Sequence, residues 1–116
     1  MLSLSQLENQ VFANGQLQPD DVAELARQGV KTIVNNRPDG EEAGQPASDA
    51  VARLAAEHGM EYHYIPVGRD PLTMEQVDRM AGVLKDSPRP IVAYCRSGMR
   101  SSTIFSYAKA RLFEQR

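Results

Sequence analysis

The sequence has few of the side chains that build disulfides and metal sites. It contains one cysteine, two histidines and no tryptophan among 116 residues. A single cysteine excludes an internal disulfide and any zinc site made of several cysteines, and two histidines are too few for most histidine-rich metal sites. We therefore expect no metal and no organic cofactor. The lone thiol is either a buried filler or a reactive group.

An excess of charge of one sign and a long apolar run are both missing. The 13 basic and 15 acidic residues give a net charge of −2, which argues against a dedicated nucleic-acid-binding protein. The N-terminus lacks a basic segment followed by a long apolar one, and the longest apolar stretches have four or five residues. These features predict neither a signal peptide nor a membrane span. We expect a single domain over residues 1–116 in the reducing cytoplasm, with neither nucleic acid nor a membrane as partner.

Short apolar runs alternate with amphipathic segments of helical length. The runs predict strands at 11–13, 31–35, 61–65 and 91–94, and the segments between and after them predict helices that begin at Pro19, Ala47, Met74 and Ser101. This order predicts an α/β fold with a central, mostly parallel sheet of about four to five strands flanked by helices. Ligands of such sheets bind beyond the carboxyl ends of the strands. Three segments are expected there: 36–46, 66–72 and 95–100.

The segment that begins at Cys95 carries the strongest functional signal. The only cysteine follows a buried strand and precedes a helix by a few residues, so loop N–H groups and the helix dipole would face its sulfur. Arg96 and Arg100 add full positive charges, and Gly98 permits the backbone bend that such a loop needs. Ser101 or its neighbour can cap the helix or hydrogen-bond the sulfur. Each influence favours the thiolate, so we expect the pKa of Cys95 to lie below about 8.5.

The alternative is that Cys95 is an inert residue of the core, as most free cysteines are. Two arginines within five residues of it argue against that, because a filler has no use for them. We therefore favour a reactive nucleophile in an anion-binding loop. In that loop Ser97, Gly98 and Met99 would help to bind the anionic part of the substrate.

The sequence Cys-Arg-Ser-Gly-Met-Arg, from Cys95 to Arg100, resembles the active-site loop of rhodaneses, sulfurtransferases that carry sulfur as a cysteine persulfide. The order of strand, cysteine, loop ending in Arg-Ser and helix is similar to that of cysteine-dependent tyrosine and dual-specificity phosphatases. With the stretches 35–41, 65–67 and 94–101, the chain resembles one bacterial family over roughly Leu4 to Leu112. That is the beta-lactamase-hydrolase-like protein phosphatase-like domain family. The resemblance implies a cysteine-phosphatase-like fold, and members fused to a persulfide dioxygenase domain imply a role in sulfide metabolism.

One departure from the phosphatase pattern favours sulfur transfer. Phosphatases place five residues between the cysteine and the arginine, whereas four separate Cys95 from Arg100. A shorter loop makes a tighter ring of N–H groups, which suits one sulfane sulfur better than a tetrahedral phosphate. We therefore predict a rhodanese-like thiol sulfurtransferase that forms a Cys95 persulfide, with thiosulfate or glutathione persulfide as donor and a thiol as acceptor. A persulfide dioxygenase is the partner that the family implies.

Two other functions stay open. One is a cysteine-dependent phosphatase with Cys95 as nucleophile and Asp70 as general acid, since phosphatases of this layout carry an acid on a loop at a similar place. Asp70 is equally well explained as an ordinary turn residue before Pro71. Sulfur transfer needs no such acid, so Asp70 discriminates between the two chemistries. The other function is a non-catalytic persulfide sensor or adaptor.

Two further arginines belong to the predicted site. Arg37 follows a strand, where it either steers an anionic substrate at the rim or pairs with Glu41 or Glu42. Both acids are expected to be solvated loop charges. Arg96 is expected to point outward and recognise the substrate, because only Arg100 stands at the closing position of the loop.

Overall fold

The computed structural model describes residues 2–115, which form a five-stranded sheet between two pairs of helices. The elements are β1 (Ser5–Glu8), β2 (Val11–Asn14), α1 (Pro19–Arg27), β3 (Thr32–Asn35), α2 (Ser48–Glu57), β4 (Glu61–Tyr64), α3 (Met74–Asp86), β5 (Ile91–Tyr94) and α4 (Met99–Glu114). The strand order is β1-β2-β5-β3-β4, and only β1 runs antiparallel to its neighbour. The predicted α/β fold with a mostly parallel sheet is confirmed.

The edge strand β1 was not predicted. Its sequence, Ser-Gln-Leu-Glu, is polar and half exposed, so it has no apolar run to mark it. Polar residues suit an edge strand because they discourage pairing with another chain. The strand forms by pairing with β2, in which Ser5 lies opposite Ala13.

Two apolar cores pack on opposite faces of the sheet, and β5 contributes to both. Ile91 and Ala93 face the core beneath α3 and α4, whereas Val92 and Tyr94 face the core beneath α1 and α2. Each large apolar side chain buried in this way contributes roughly 1.5–3 kcal/mol. Successive side chains of a strand point to opposite faces of the sheet. Cys95 follows Ile91 and Ala93 in this alternation, so it is expected on the same face, the one covered by α3 and α4.

Helix α4 begins at Met99, two residues earlier than the predicted start at Ser101. The physical reason is Gly98, which ends the loop abruptly by adopting a left-handed conformation with φ of 96°. Met99 and Arg100 therefore belong to the first helical turn rather than to the loop. None of the helices between residues 2 and 115 is both long and apolar enough to cross a membrane.

Candidate active site

The three segments that follow the carboxyl ends of β3, β4 and β5 meet around one cavity, as the sequence predicts. The cavity has a volume of about 360 Å³ and is lined by Glu41, Gly68, Arg69, Arg96 and Arg100. Three arginines against one glutamate give this opening a positive character, which suits an anionic ligand. A larger apolar cavity of about 540 Å³ lies between α3 and α4, but its lining includes no residue of the 95–100 segment.

Cys95 lies directly after β5 and is fully buried. The backbone N–H of Gly98 donates a hydrogen bond to its Sγ atom over 3.0 Å. Burial alone would raise the pKa of Cys95, but backbone N–H groups of Ser101, Ser97, Gly98 and Arg100 outweigh burial and lower the pKa below its ordinary value. The predicted activated thiol is thus supported by the geometry of the loop.

The conformation of Gly98 produces this arrangement. At a φ of 96° the peptide directs its N–H toward the sulfur, and a Cβ there would lie 3.4 Å from the carbonyl oxygen of Asn14. The first turn of α4 contains no acidic residue. The anion at this helix N-terminus is instead the sulfur of Cys95, which the helix dipole also stabilises.

The Arg100 guanidinium lies close to the Cys95 sulfur and donates three hydrogen bonds to oxygen atoms. Its Nη1 donates to Glu41 Oε2 over 2.7 Å and to the carbonyl oxygen of Val67 over 2.8 Å, and its Nη2 donates to Glu41 Oε1 over 2.9 Å. Its pKa is raised first by Glu41 and further by the nearby charge of Cys95. The guanidinium therefore lies near both the Glu41 carboxylate and the Cys95 sulfur.

Glu41 is exposed, as expected of a solvated loop charge, but it is also paired with two arginines. Its carboxylate pairs with both Arg100 and Arg37, and Arg100 is the main cause that lowers the pKa of Glu41 to about 2. Sequence reasoning missed this residue because its partner Arg100 lies 59 positions away. The only available signal was its place on a segment expected at the carboxyl edge of the sheet.

Arg37 is not a free cation at the rim. Its side chain is only 3% exposed and donates to Glu41, Glu42 and Gln16 over 2.9, 3.1 and 3.0 Å. The pairing alternative is therefore the one observed, since a buried guanidinium needs partners for its donors. Arg37 contacts the site through Glu41 and does not line the cavity formed with Arg69, Arg96 and Arg100.

Ser101 contributes its backbone and not its hydroxyl. The buried hydroxyl donates to Asn36 Oδ1 over 2.8 Å, and Asn36 in turn donates to the carbonyl oxygen of Ile65 over 2.9 Å. This chain joins the segments after β3, β4 and β5 beneath the site. Ser101 thus caps no backbone group through its side chain, because Gly98 is the residue before the helix.

Ser97 and Met99 differ in what they offer. The Ser97 N–H helps to lower the pKa of Cys95, while its hydroxyl oxygen accepts from the Met99 N–H over 3.3 Å. The Met99 side chain is 74% exposed. Arg96 is exposed and lines the cavity, as expected for a residue that meets the substrate.

Asp70 is exposed and does not line the cavity that Arg69, Arg96 and Arg100 line. It stands between Arg69, which lines that cavity, and Pro71, which lines the apolar one. The structure thus places Asp70 beside the opening without bringing its carboxylate to the thiol. Its catalytic role stays a prediction, as do the roles of the other predicted site residues.

A cysteine between a buried parallel strand and a helix N-terminus, ringed by N–H groups and covered by an arginine, defines an α/β domain of the cysteine-phosphatase type. The comparison with known families agrees. The profile of the family described as beta-lactamase hydrolase-like protein, phosphatase-like domain, matches residues 4–112. The chain belongs to this family.

Individual relatives bear out both the family and the fold. A beta-lactamase hydrolase-like protein of Agrobacterium fabrum is 34% identical over 83% of the chain, which spans only 22% of that relative's length. A Neisseria meningitidis protein proposed to be a phosphatase superposes with a TM-score of 0.81 and 29% identity, over 90% of this chain and 75% of that one. Kinase-associated phosphatase superposes with a TM-score of 0.67 and 12% identity, over 94% of this chain and 75% of that one, and so shows the fold alone. These similarities show a phosphatase-like fold and lend no support to the sulfur transfer that the loop predicts.

Proposed function

We propose that the protein is a cysteine-dependent phosphatase that hydrolyses an anionic phosphate monoester. The observation that carries this proposal is the thiolate-stabilising ring of N–H groups around the buried Cys95, whose neighbour Arg100 lines an adjacent opening with Arg69 and Arg96. A phosphate monoester carries charge on several oxygens, which the arginines and the loop N–H groups would neutralise. The phosphatase-like relatives support the same chemistry.

The reaction has two steps. The thiolate of Cys95 attacks phosphorus, so that an S–P bond forms while the ester P–O bond breaks. The departing oxygen takes the proton of Asp70, the one acidic residue of the 68–73 segment. Water then gives a proton to the Asp70 carboxylate and attacks phosphorus, so that a P–O bond forms while the S–P bond breaks; inorganic phosphate leaves, and both the thiolate and the acid are restored.

Sulfur transfer is the second candidate, and the length of the loop favours it. Only four residues separate Cys95 from Arg100, and the Gly98 N–H lies 3.0 Å from the sulfur. In that reaction the thiolate would attack the outer sulfur of thiosulfate, forming an S–S bond as sulfite leaves with the electron pair of the broken bond. A thiol acceptor would then remove the outer sulfur from the Cys95 persulfide.

The two reactions can be separated with one set of variants. Wild type, Cys95→Ser, Asp70→Asn and the remote control Asp86→Asn are assayed for aryl phosphate hydrolysis. The same proteins are incubated with thiosulfate or glutathione persulfide and examined by intact-protein mass spectrometry, with cyanide added afterward.

The phosphatase proposal predicts hydrolysis that Cys95→Ser abolishes, that Asp70→Asn reduces by roughly a hundredfold or more and that Asp86→Asn leaves unchanged. A poorer alkyl leaving group should increase the loss caused by Asp70→Asn. Sulfur transfer predicts instead one added sulfur on Cys95, removed by cyanide and indifferent to Asp70→Asn. Addition of sulfur at a catalytic rate without any phosphate hydrolysis would refute the phosphatase proposal. A persulfide that forms without turnover would point to the sensor or adaptor function.

A further inference from the structure

The contact between Glu41 and Arg100 is more specific than an ordinary ion pair at a surface. Both carboxylate oxygens accept from the two terminal nitrogens of the guanidinium, in a fork of 2.7 and 2.9 Å. We propose that Glu41 is a positioning residue that selects the edge of the Arg100 guanidinium presented to a bound oxyanion. This inference rests on the proposed function only in requiring that the site bind an oxyanion, which both candidate reactions share.

The hydrogen count of Arg100 identifies the edge that is left. One Nη1 hydrogen goes to Glu41 and the other to the Val67 carbonyl oxygen, while one Nη2 hydrogen goes to Glu41. The Nε hydrogen and the second Nη2 hydrogen are not used by these bonds. They lie side by side on one edge of the planar group, where they can grip two oxygens of one anion.

Glu41 is itself held independently of Arg100. The buried Arg37 donates its Nε hydrogen to Glu41 Oε1 over 2.9 Å, and Gln45 accepts from the Glu41 backbone N–H over 3.2 Å. Arg37 is in turn tied to Gln16 over 3.0 Å. The carboxylate is therefore a fixed point on the protein, and the flexible side chain of Arg100 takes its orientation from it.

If Glu41 positions Arg100, removing Glu41 should change anion binding in the opposite direction from the one that its negative charge alone would predict. Glu41 is a negative charge at the opening, so removing it should by Coulomb attraction alone strengthen the binding of an anion. If Glu41 instead orients Arg100, removing it frees the guanidinium to rotate. Anion binding then weakens although the opening has become more positive.

The test measures binding of inorganic phosphate by its effect on the backbone amide NMR signals of residues 96–101. The variants are Glu41→Gln and the matched control Glu42→Gln, which removes a charge one position away that contacts Arg37 but not Arg100. We expect Glu41→Gln to weaken phosphate binding by about tenfold or more. Glu42→Gln should leave it unchanged or slightly tighter. The Gly98 amide signal of phosphate-free Glu41→Gln should stay at its wild-type position, which a general loosening of the loop would not allow.

Phosphate binding by Glu41→Gln that is as tight as in wild type, or tighter, would overturn the inference. Should Glu41→Gln fail to fold, Glu41→Asp keeps the charge but withdraws the carboxylate by one methylene, and its binding must also weaken if positioning is correct. Absence of phosphate binding by wild type would overturn this inference and the phosphatase proposal together. Weakened binding by Glu41→Gln in a protein that hydrolyses no phosphate ester would support the inference while refuting only the phosphatase proposal.

Discussion

Replacing Gly98 with alanine tests the loop most directly. Gly98 has a φ of 96° and a ψ of −13°, a conformation that side-chain-bearing residues rarely adopt. Forcing alanine into it costs about 1–3 kcal/mol. The new Cβ would lie 3.4 Å from the Asn14 carbonyl oxygen, an ordinary contact that adds little to this cost. Any rotation of the peptide that relieves the strain swings the Gly98 N–H away from the Cys95 sulfur.

Two measurements follow from this substitution. The melting temperature should fall by roughly 4–15 °C, because about 1 kcal/mol corresponds to several degrees in a domain of this size. The pKa of Cys95 should rise toward the ordinary value of about 8.5, because the sulfur loses a donor. The ultraviolet absorbance of the thiolate reports that pKa without ambiguity, since Cys95 is the only thiol in the chain.

Gly82→Ala is the matched control, because Gly82 lies inside α3 and a Cβ there meets nothing within 4 Å. It should stabilise the protein by about 0.5–1 kcal/mol, since alanine favours the helix, and leave the thiolate titration unchanged. A Gly98→Ala protein as stable as wild type would refute the strain attributed to this position. An unchanged Cys95 titration would refute the role of its N–H.

Further substitutions separate stability from chemistry. Ser101→Ala leaves Asn36 Oδ1 without its donor, so urea unfolding should show a free energy of unfolding lower by about 1–3 kcal/mol. The pKa of Cys95 should stay the same, because it depends on the backbone N–H of Ser101 and not on the hydroxyl. The buried hydroxyl of Tyr94 makes no hydrogen bond of good geometry within residues 2–115, although the Tyr62 hydroxyl lies near it. Tyr94→Phe should therefore be at least as stable as wild type and equally active; a large loss of activity would assign the hydroxyl a role. Glu41 has its pKa lowered from 4.5 to about 2, so the stability it confers is present above pH 4.5 and is lost as the pH falls toward 2. Unfolding measured along that range should show a steeper decline for wild type than for Glu41→Gln, and parallel curves would contradict the pairing.

Features set by local spacing were predictable from the sequence. The alternation of apolar runs and amphipathic segments specified the α/β fold. Short apolar runs are typical of buried strands, and segments with apolar residues every three to four positions are typical of helices. The end of β5 placed Cys95 at the carboxyl edge of the sheet, and the nearby glycine and arginines marked the loop as an anion-binding one. The parallel order of the strands then required the three functional segments to meet. All of these conclusions depend on residues close together in the chain or on a general property of parallel sheets.

Only the tertiary structure decided how the charged and polar side chains pair. Arg100 and Glu41 are 59 positions apart, and Ser101 and Asn36 are 65 apart. A loop carries no periodicity that says which of its acids will turn inward, so Glu41 and Glu42 were indistinguishable before the fold brought one of them to Arg100. Burial of Arg37 depended likewise on the packing of its loop against Gln16. The sequence by itself determined where the candidate nucleophile lies and why its thiolate form is favoured. The folded chain decided which groups contact Arg100 near it, because those contacts exist only between segments that folding brings together.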